Sequence, residues 1–185
     1  MTTITSAPPT RDPFYFINAF DGAILTRLIP HPDRAFAFEV TFQLQHPQLI
    51  SLSTQKPPVH FHPYQEEYMQ VLEGRLCVEV EGRERVLGPE DGEVVVEPWA
   101  NHRLYPPPTG KGDGGATTRF LLSGGETEES YKLDSVFFQN WYGYQNEVVM
   151  VGAKMDLIQV MCVSGITATT FSLEPSLFPS SGQGV

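Results

Sequence analysis

Cysteine is almost missing from this sequence. Cys77 and Cys162 are the only two in 185 residues, too few for a disulfide framework, so both read as free thiols of a reducing compartment. Cations are scarce as well: 12 Lys and Arg stand against 22 Asp and Glu, and the net charge of -10 repels a phosphate backbone, which argues against a nucleic-acid partner. No stretch approaches the roughly 20 apolar residues of a membrane-spanning helix, and Met1 to Pro13 lacks the basic segment and apolar run of a leader. A cytoplasmic protein with no membrane span is expected. The chemistry-bearing motifs that are absent narrow the field further. There is no dinucleotide glycine fingerprint and no serine-nucleophile elbow, and the Gly-rich stretch from Gly110 to Gly115 lacks the Lys-Ser/Thr ending of a phosphate loop. Cys77, between Arg75 and Glu79 on alternate positions, carries no nucleophile signature.

What is plentiful is aromatic bulk and turn formers. Twelve Phe, 7 Tyr and 2 Trp, within 41% hydrophobic residues, supply a packed interior, while 16 Gly and 16 Pro without periodicity suit short strands joined by tight turns. From Ala35 to Leu44 the alternation is strict, with Phe36, Phe38, Val40, Phe42 and Leu44 on one face. Further strand-like runs lie at 59–62, 67–72, 75–80, 83–87, 93–97, 102–105 and 117–122, punctuated by Gly74, Gly82, the 88–92 turn and Pro98. The segment between, with His46-Pro47 and Pro57-Pro58, reads as a loop. This is the spacing of an antiparallel sandwich or barrel. Beyond Gly125 the period changes: Leu133, Phe137, Trp141, Tyr144 and Val148 recur at helical steps, as do Leu157, Ile158 and Met161. The expected organisation is an N-terminal arm with the first strands over 1–34, an all-β core over 35–125, a two-helix extension over 126–163 and a poorly ordered tail over 164–185.

The informative segment is His60-Phe61-His62-Pro63-Tyr64-Gln65-Glu66-Glu67. On a strand, His60 and His62 point to one side while Phe61 points to the other, so two imidazoles converge. Glu67 opens the next strand after a proline-containing turn, and His102 comes after the turn Pro98-Trp99-Ala100-Asn101. A single histidine is more often a hydrogen-bonded residue than a ligand. Two at this spacing, a carboxylate and a later third imidazole are not easily random. Three nitrogens and an oxygen suit a divalent transition metal and leave positions open on an octahedral ion: iron(II), manganese, nickel, copper or zinc. Trp99, beside the third histidine, is a candidate for stacking on an aromatic substrate, with plugging of the rim as the structural alternative. Tyr64 is a candidate general acid.

These residues resemble the cupin superfamily. Its first motif, His-x-His, then Glu, then Gly after six more residues, is met by His60-Phe61-His62, Glu67 and Gly74, with Thr54 in place of the leading Gly. Its second motif is met by Gly92 and Pro98, but the stretch Pro98-Trp99-Ala100-Asn101-His102 is one residue short and has Ala for Gly. The resemblance implies a single antiparallel β-barrel of the double-stranded β-helix (jelly-roll) kind with two C-terminal α-helices after it, and His60, His62, Glu67 and His102 as metal ligands. A narrower resemblance, carried by Pro98 to His102 and by Phe137-Phe138-Gln139-Asn140-Trp141-Tyr142-Gly143-Tyr144-Gln145, is to small fungal cupin-domain oxidoreductases of aromatic, salicylaldehyde-type polyketide biosynthesis. It implies a metal-dependent oxidoreductase, iron(II) favoured, acting on a small aromatic or polyketide-derived intermediate, with a homodimer admissible. Two other readings stay open: a Lewis-acid isomerase, dehydratase or decarboxylase, and a non-catalytic small-molecule binder.

Overall fold

The computed structural model describes residues 17–108, 115–129, 132–151 and 170–171. Along the chain the elements are β1 (Ile17–Ala19), β2 (Ile24–Leu28), β3 (Phe36–Gln43), α1 (Pro47–Leu52), β4 (His60–Phe61), β5 (Glu67–Glu73), β6 (Leu76–Val80), β7 (Arg83–Leu87), β8 (Glu93–Val96), β9 (His102–Tyr105), β10 (Thr117–Gly124), α2 (Ser135–Val151) and β11 (Thr170–Phe171). Among the described residues all pairings are antiparallel and form two sheets, ordered β1-β2-β3-β10-β5-β8 and β11-β4-β9-β6-β7. One apolar cluster draws Phe38, Val40, Met69, Val71 and Phe120 from the first sheet and Leu76, Val78 and Leu87 from the second, so the two sheets share a single core.

The period-two pattern explains the first sheet. Phe36, Phe38, Val40 and Phe42 are buried on β3, and Met69 and Val71 on β5. The ladders align these residues in rows: Phe38, Leu122 and Met69 lie side by side, and the next row runs Phe36, Gly124, Glu67, Val96. Glu67 therefore occupies an inward position of the same strand face as Met69 and Val71, a place where a carboxylate is costly unless a cation or donors meet it. In the second sheet β6 and β7 are joined by Glu81 and Gly82, both at positive φ (49° and 72°), the backbone of a two-residue turn that matches strand twist. Across β6 and β9, Arg103 opposes Glu79 and donates to both its oxygens at 2.8 and 3.1 Å. That outward ion pair sets the parity of β9 and sends His102 inward.

Several expectations need correction. The core is two sheets rather than a closed barrel: among the described residues no ladder joins an edge of one sheet to an edge of the other. Pro47–Leu52, read as loop, is a short helix in which the His46 ring accepts from the Gln48 N–H and Pro47 takes a position that needs no donor. Thr170 and Phe171 fall in the stretch read as tail, yet they pair with Phe61 and His60 as an added edge strand. One C-terminal helix is present as α2; the second, expected around 157–161, the arm before residue 17 and most of the Gly-rich loop lie outside the described residues. Cys77 is buried, and no helix among the described residues is long and apolar enough to cross a membrane.

Candidate metal centre

His60, His62, Glu67 and His102 come together inside the core, each offering a ligand atom, and these atoms all lie within 4.8 Å of one another. Ligands on opposite sides of one ion, each about 2 Å from it, stand about 4 Å apart, so the cluster is sized for one ion with a small contraction. Strand register makes the group: His60 pairs directly with His102 across β4 and β9, and their ring centroids are 4.4 Å apart. His62, just past β4, brings its ring to 5.1 Å from His60 and 5.0 Å from His102.

The shortened second motif still delivers its histidine because Trp99 adopts a left-handed conformation (φ 68°). That turns the chain within Glu97–Ala100, and the Trp99 N–H donates to the His62 carbonyl at 2.9 Å, tying the β8–β9 turn to the first motif. Such a conformation costs a non-glycine residue on the order of 1 kcal/mol or more, a strain held at the edge of the site.

Hydrogen bonds behind the rings decide which nitrogens face inward. The Nδ1 of His102 lies 2.8 Å from the Ala100 carbonyl, and that of His60 3.3 Å from the Pro58 carbonyl. A carbonyl only accepts, so both Nδ1 atoms carry hydrogen and both Nε2 atoms are left to ligate, the usual support of metal-bound imidazole. The His102 Nε2 then lies 2.8 Å from Glu67 Oε2, but the two are not aligned as a hydrogen bond and neither has another partner, although both are buried. A lone pair facing a carboxylate oxygen at this distance calls for a positive charge between them. Burial pushes His60 down to about 4, helped by His102, and His62 down to about 3. Burial works to raise the Glu67 carboxyl, but contact with His102 and the field of the other imidazoles hold it at about 2. His102 is lowered by burial and raised by more through Glu67, for a net upward shift. An anion with two imidazoles held neutral by burial, and a third ring whose added proton at Nε2 an ion would have to displace, is a donor set a divalent ion fits.

The other two expected site residues are elsewhere. Trp99 is 62% exposed and stacks on Phe61 at 5.4 Å, the side chain that leaves β4 opposite to its histidines. Tyr64, 45% exposed, meets Trp99 edge-on at 6.4 Å. Trp99 and Tyr64 thus form an outer aromatic group with Phe61, apart from the four-residue cluster.

Two residues escaped sequence reasoning. Gln65 is buried: its Nε2 donates to the Gly125 carbonyl at 2.8 Å and its Oε1 accepts from the Leu133 N–H at 2.8 Å, clamping the approach to α2 onto the loop between the ligands. Tyr142 projects from α2, its phenol pushed up to about 12 by burial and then by the Glu67 carboxylate. Phe138, one turn earlier, packs on Phe36 at 4.9 Å and Phe38 at 5.2 Å. The signal for Tyr142 was the second aromatic stripe, Phe138 with Tyr142, running beside the one through Phe137, Trp141 and Tyr144.

A family model described as a cupin domain matches residues 51–107, the span of all four clustered residues. A protein named an oxidoreductase from Arthrobotrys oligospora is 43% identical over 150 residues, 80% of this chain and 58% of that protein. Oxidoreductase macE of Penicillium terrestre is 37% identical over 164 residues, 84% of this chain and 62% of its own length. Epoxidase atD of Aspergillus terreus is 32% identical over 158 residues, 80% of this chain and 48% of its length. This chain thus spans about half to six tenths of these relatives. With the first motif intact and its His-x-His and Glu gathered with the later histidine at one point, residues 51–107 of the chain match a cupin domain.

Proposed function

We propose that this chain is a metal-dependent oxidoreductase of fungal secondary metabolism, acting on a small aromatic or polyketide-derived intermediate. The observation that carries the reading is the buried pair Glu67 Oε2 and His102 Nε2, 2.8 Å apart and without a hydrogen bond, completed by His60 and His62. Relatives named oxidoreductase and epoxidase give the reaction class. His60, His62, Glu67 and His102 would hold the ion; a divalent transition metal, iron(II) foremost, supplies accessible redox states and open coordination positions that side chains lack.

The chain's own residues prepare that chemistry. The Ala100 and Pro58 carbonyls fix two rings with Nε2 inward. Phe36, Phe38, Met69 and Phe138 wall the adjoining core with apolar surface, which excludes water and strengthens the electrostatics of the site. Metal analysis of protein purified without chelators tests the first half of the reading, about one equivalent being expected. For the second half, extracts of a producing host with and without this chain are compared, and the intermediate that accumulates is given to the metal-loaded protein while oxygen and product are monitored. An unchanged metabolite profile, with binding but no turnover, would sink the enzyme reading.

A further inference from the structure

Behind His102, the peptide group that joins Ala100 to Asn101 is held on both sides. Its carbonyl faces the His102 Nδ1 at 2.8 Å, and its N–H donates to Glu81 Oε1 at 2.6 Å. The Asn101 side-chain amide donates to the same oxygen at 3.3 Å. Imidazole, peptide and carboxylate thus form one chain of hydrogen bonds, and bonds in series through a peptide polarise one another. The β6–β9 ladder brings Glu81 there. Val80 pairs with His102, and one step further the Glu81 N–H donates to the Asn101 carbonyl at 2.8 Å, while the N–H that Asn101 offers in return is taken by the Glu81 side chain.

The backbone at Glu81 is an independent sign. Its φ is 49°, followed by Gly82 at 72°, so the two residues form the tight turn between β6 and β7 in the left-handed region that Asn, Asp or Gly occupies at least cost. A glutamate is a poor occupant of that first position, and the strain is set against what its longer side chain reaches. Of the two rings backed by a carbonyl, His102 also has the closer contact, 2.8 Å against 3.3 Å at His60, as a carbonyl made more basic from behind draws its donor in.

We propose that Glu81 is a positioning residue of the metal centre, acting on His102 through the Ala100–Asn101 peptide. Its carboxylate holds that peptide so that the carbonyl keeps the Nδ1 hydrogen, and the negative charge at the far end raises the electron density that Nε2 offers a metal ion. The inference rests on the metal-centre reading and adds a residue that lies outside both motifs. A carboxylate bonded directly to a metal-bound histidine has this effect; here a peptide stands between. Glu81 is exposed, and solvent screens part of its charge. The expected effect therefore lies at the lower end of the loss of about tenfold to a hundredfold in metal affinity that follows removal of such partners.

The test uses the full chain with cobalt(II) and zinc(II) as probes. Glu81→Asn places a favoured residue in the turn but is one carbon shorter and uncharged; Glu81→Gln keeps the reach and the acceptor and loses only the charge. Metal-free Glu81→Asn should melt no lower than wild type, yet bind cobalt about tenfold more weakly, with its visible ligand-field bands displaced. Glu81→Gln should fall between the two in affinity and in spectrum. A residue that only shapes the turn predicts cobalt binding unchanged or improved in Glu81→Asn, and that result overturns the inference while the metal centre stands. So do cobalt bands that move in neither variant. A Glu81→Asn variant that loses cobalt and fold together, with Glu81→Gln equal to wild type, assigns Glu81 to the fold alone and overturns it too. A wild type that binds no cobalt defeats the metal-centre reading itself. In the zinc-loaded wild type, nitrogen-15 spectra must show His102 bound through Nε2 with hydrogen on Nδ1, and an Asn101 amide proton at low field that moves back in Glu81→Gln. Metal on Nδ1, or an Asn101 proton that is the same in both proteins, overturns the proposal independently of affinity.

Discussion

Acidifying the metal-free protein from pH 7 to pH 5 should strip stability from it through two particular side chains. His60 and His62 are held at about 4 and about 3 by burial, whereas in the unfolded chain each has the ordinary value of about 6.5. Below 6.5 the unfolded state takes up protons that the native state refuses, so stability is present above that pH and is lost as pH falls toward the native values. Over the two units each imidazole costs about 2 kcal/mol, about 4 kcal/mol together. His102 acts the other way. Its native value is raised, so its contribution grows as pH falls to 6.5, but over this window the gain cannot exceed about 1 kcal/mol. Glu67 stays ionised at about 2, and its stabilisation is lost only below the ordinary carboxylate range. The net expectation is a loss of about 3 kcal/mol, read by denaturant unfolding of chelator-treated protein at both pH values. His62→Leu should remove about half of the acid sensitivity. A wild-type loss below about 1 kcal/mol, or a His62→Leu variant as acid-sensitive as wild type, would show that these rings are not held neutral in a buried site.

Replacing His60 or His62 by Ala should remove most of the bound metal while the sheets stay folded, checked by metal content alongside circular dichroism; undiminished metal in both variants would remove them from the ligand set. Gln65→Leu leaves the Gly125 carbonyl and the Leu133 N–H without their side-chain partner, at about 1–3 kcal/mol for each buried group. Hydrogen exchange at Leu133 should accelerate with it, and full protection there would refute the clamp. Gly124→Ala drives a methyl into the Phe36 ring and should cost about 1–3 kcal/mol. Phe36→Leu combined with it should recover part of that loss in a double-mutant cycle, and strict additivity would mean that the ring is not the obstacle.

The parts of the site that could be read from the chain are those fixed by strand parity. His60 and His62 face one way whatever the rest of the fold does, and Glu67 shares its face with Met69 and Val71 by the same alternation. His102 depended on a turn one residue shorter than the family pattern. The left-handed backbone at Trp99 absorbs the missing residue, and nothing about a tryptophan announces that conformation, since a large side chain is an improbable occupant of positive φ. The same turn carries Trp99 to the outside, where it stacks on Phe61. At α1, His46-Pro47 was a legible helix start, an accepting side chain and then a proline, but six residues give too little periodicity to outweigh the prolines around them.

Helix α2 shows where local reading stops. Two aromatic stripes run along it at nearly equal strength, Phe137-Trp141-Tyr144 and Phe138-Tyr142, and the sequence favours the first. Phe137, Phe138 and Tyr144 are all buried, so burial alone does not say which stripe packs on Phe36 and Phe38. The choice is made by contacts far away in sequence. Gln65 fixes the approach at Leu133, Asn146 fixes the far end against Phe20, and Gly124 opens the place that the Phe36 ring fills beneath Phe138. A strand's parity is settled by its neighbours one residue away, whereas the rotation of a capping helix about its own axis is settled by the sheet it covers. The four clustered side chains were therefore open to inference from spacing, and the stripe that α2 turns to the sheet could be found only once the helix had been placed.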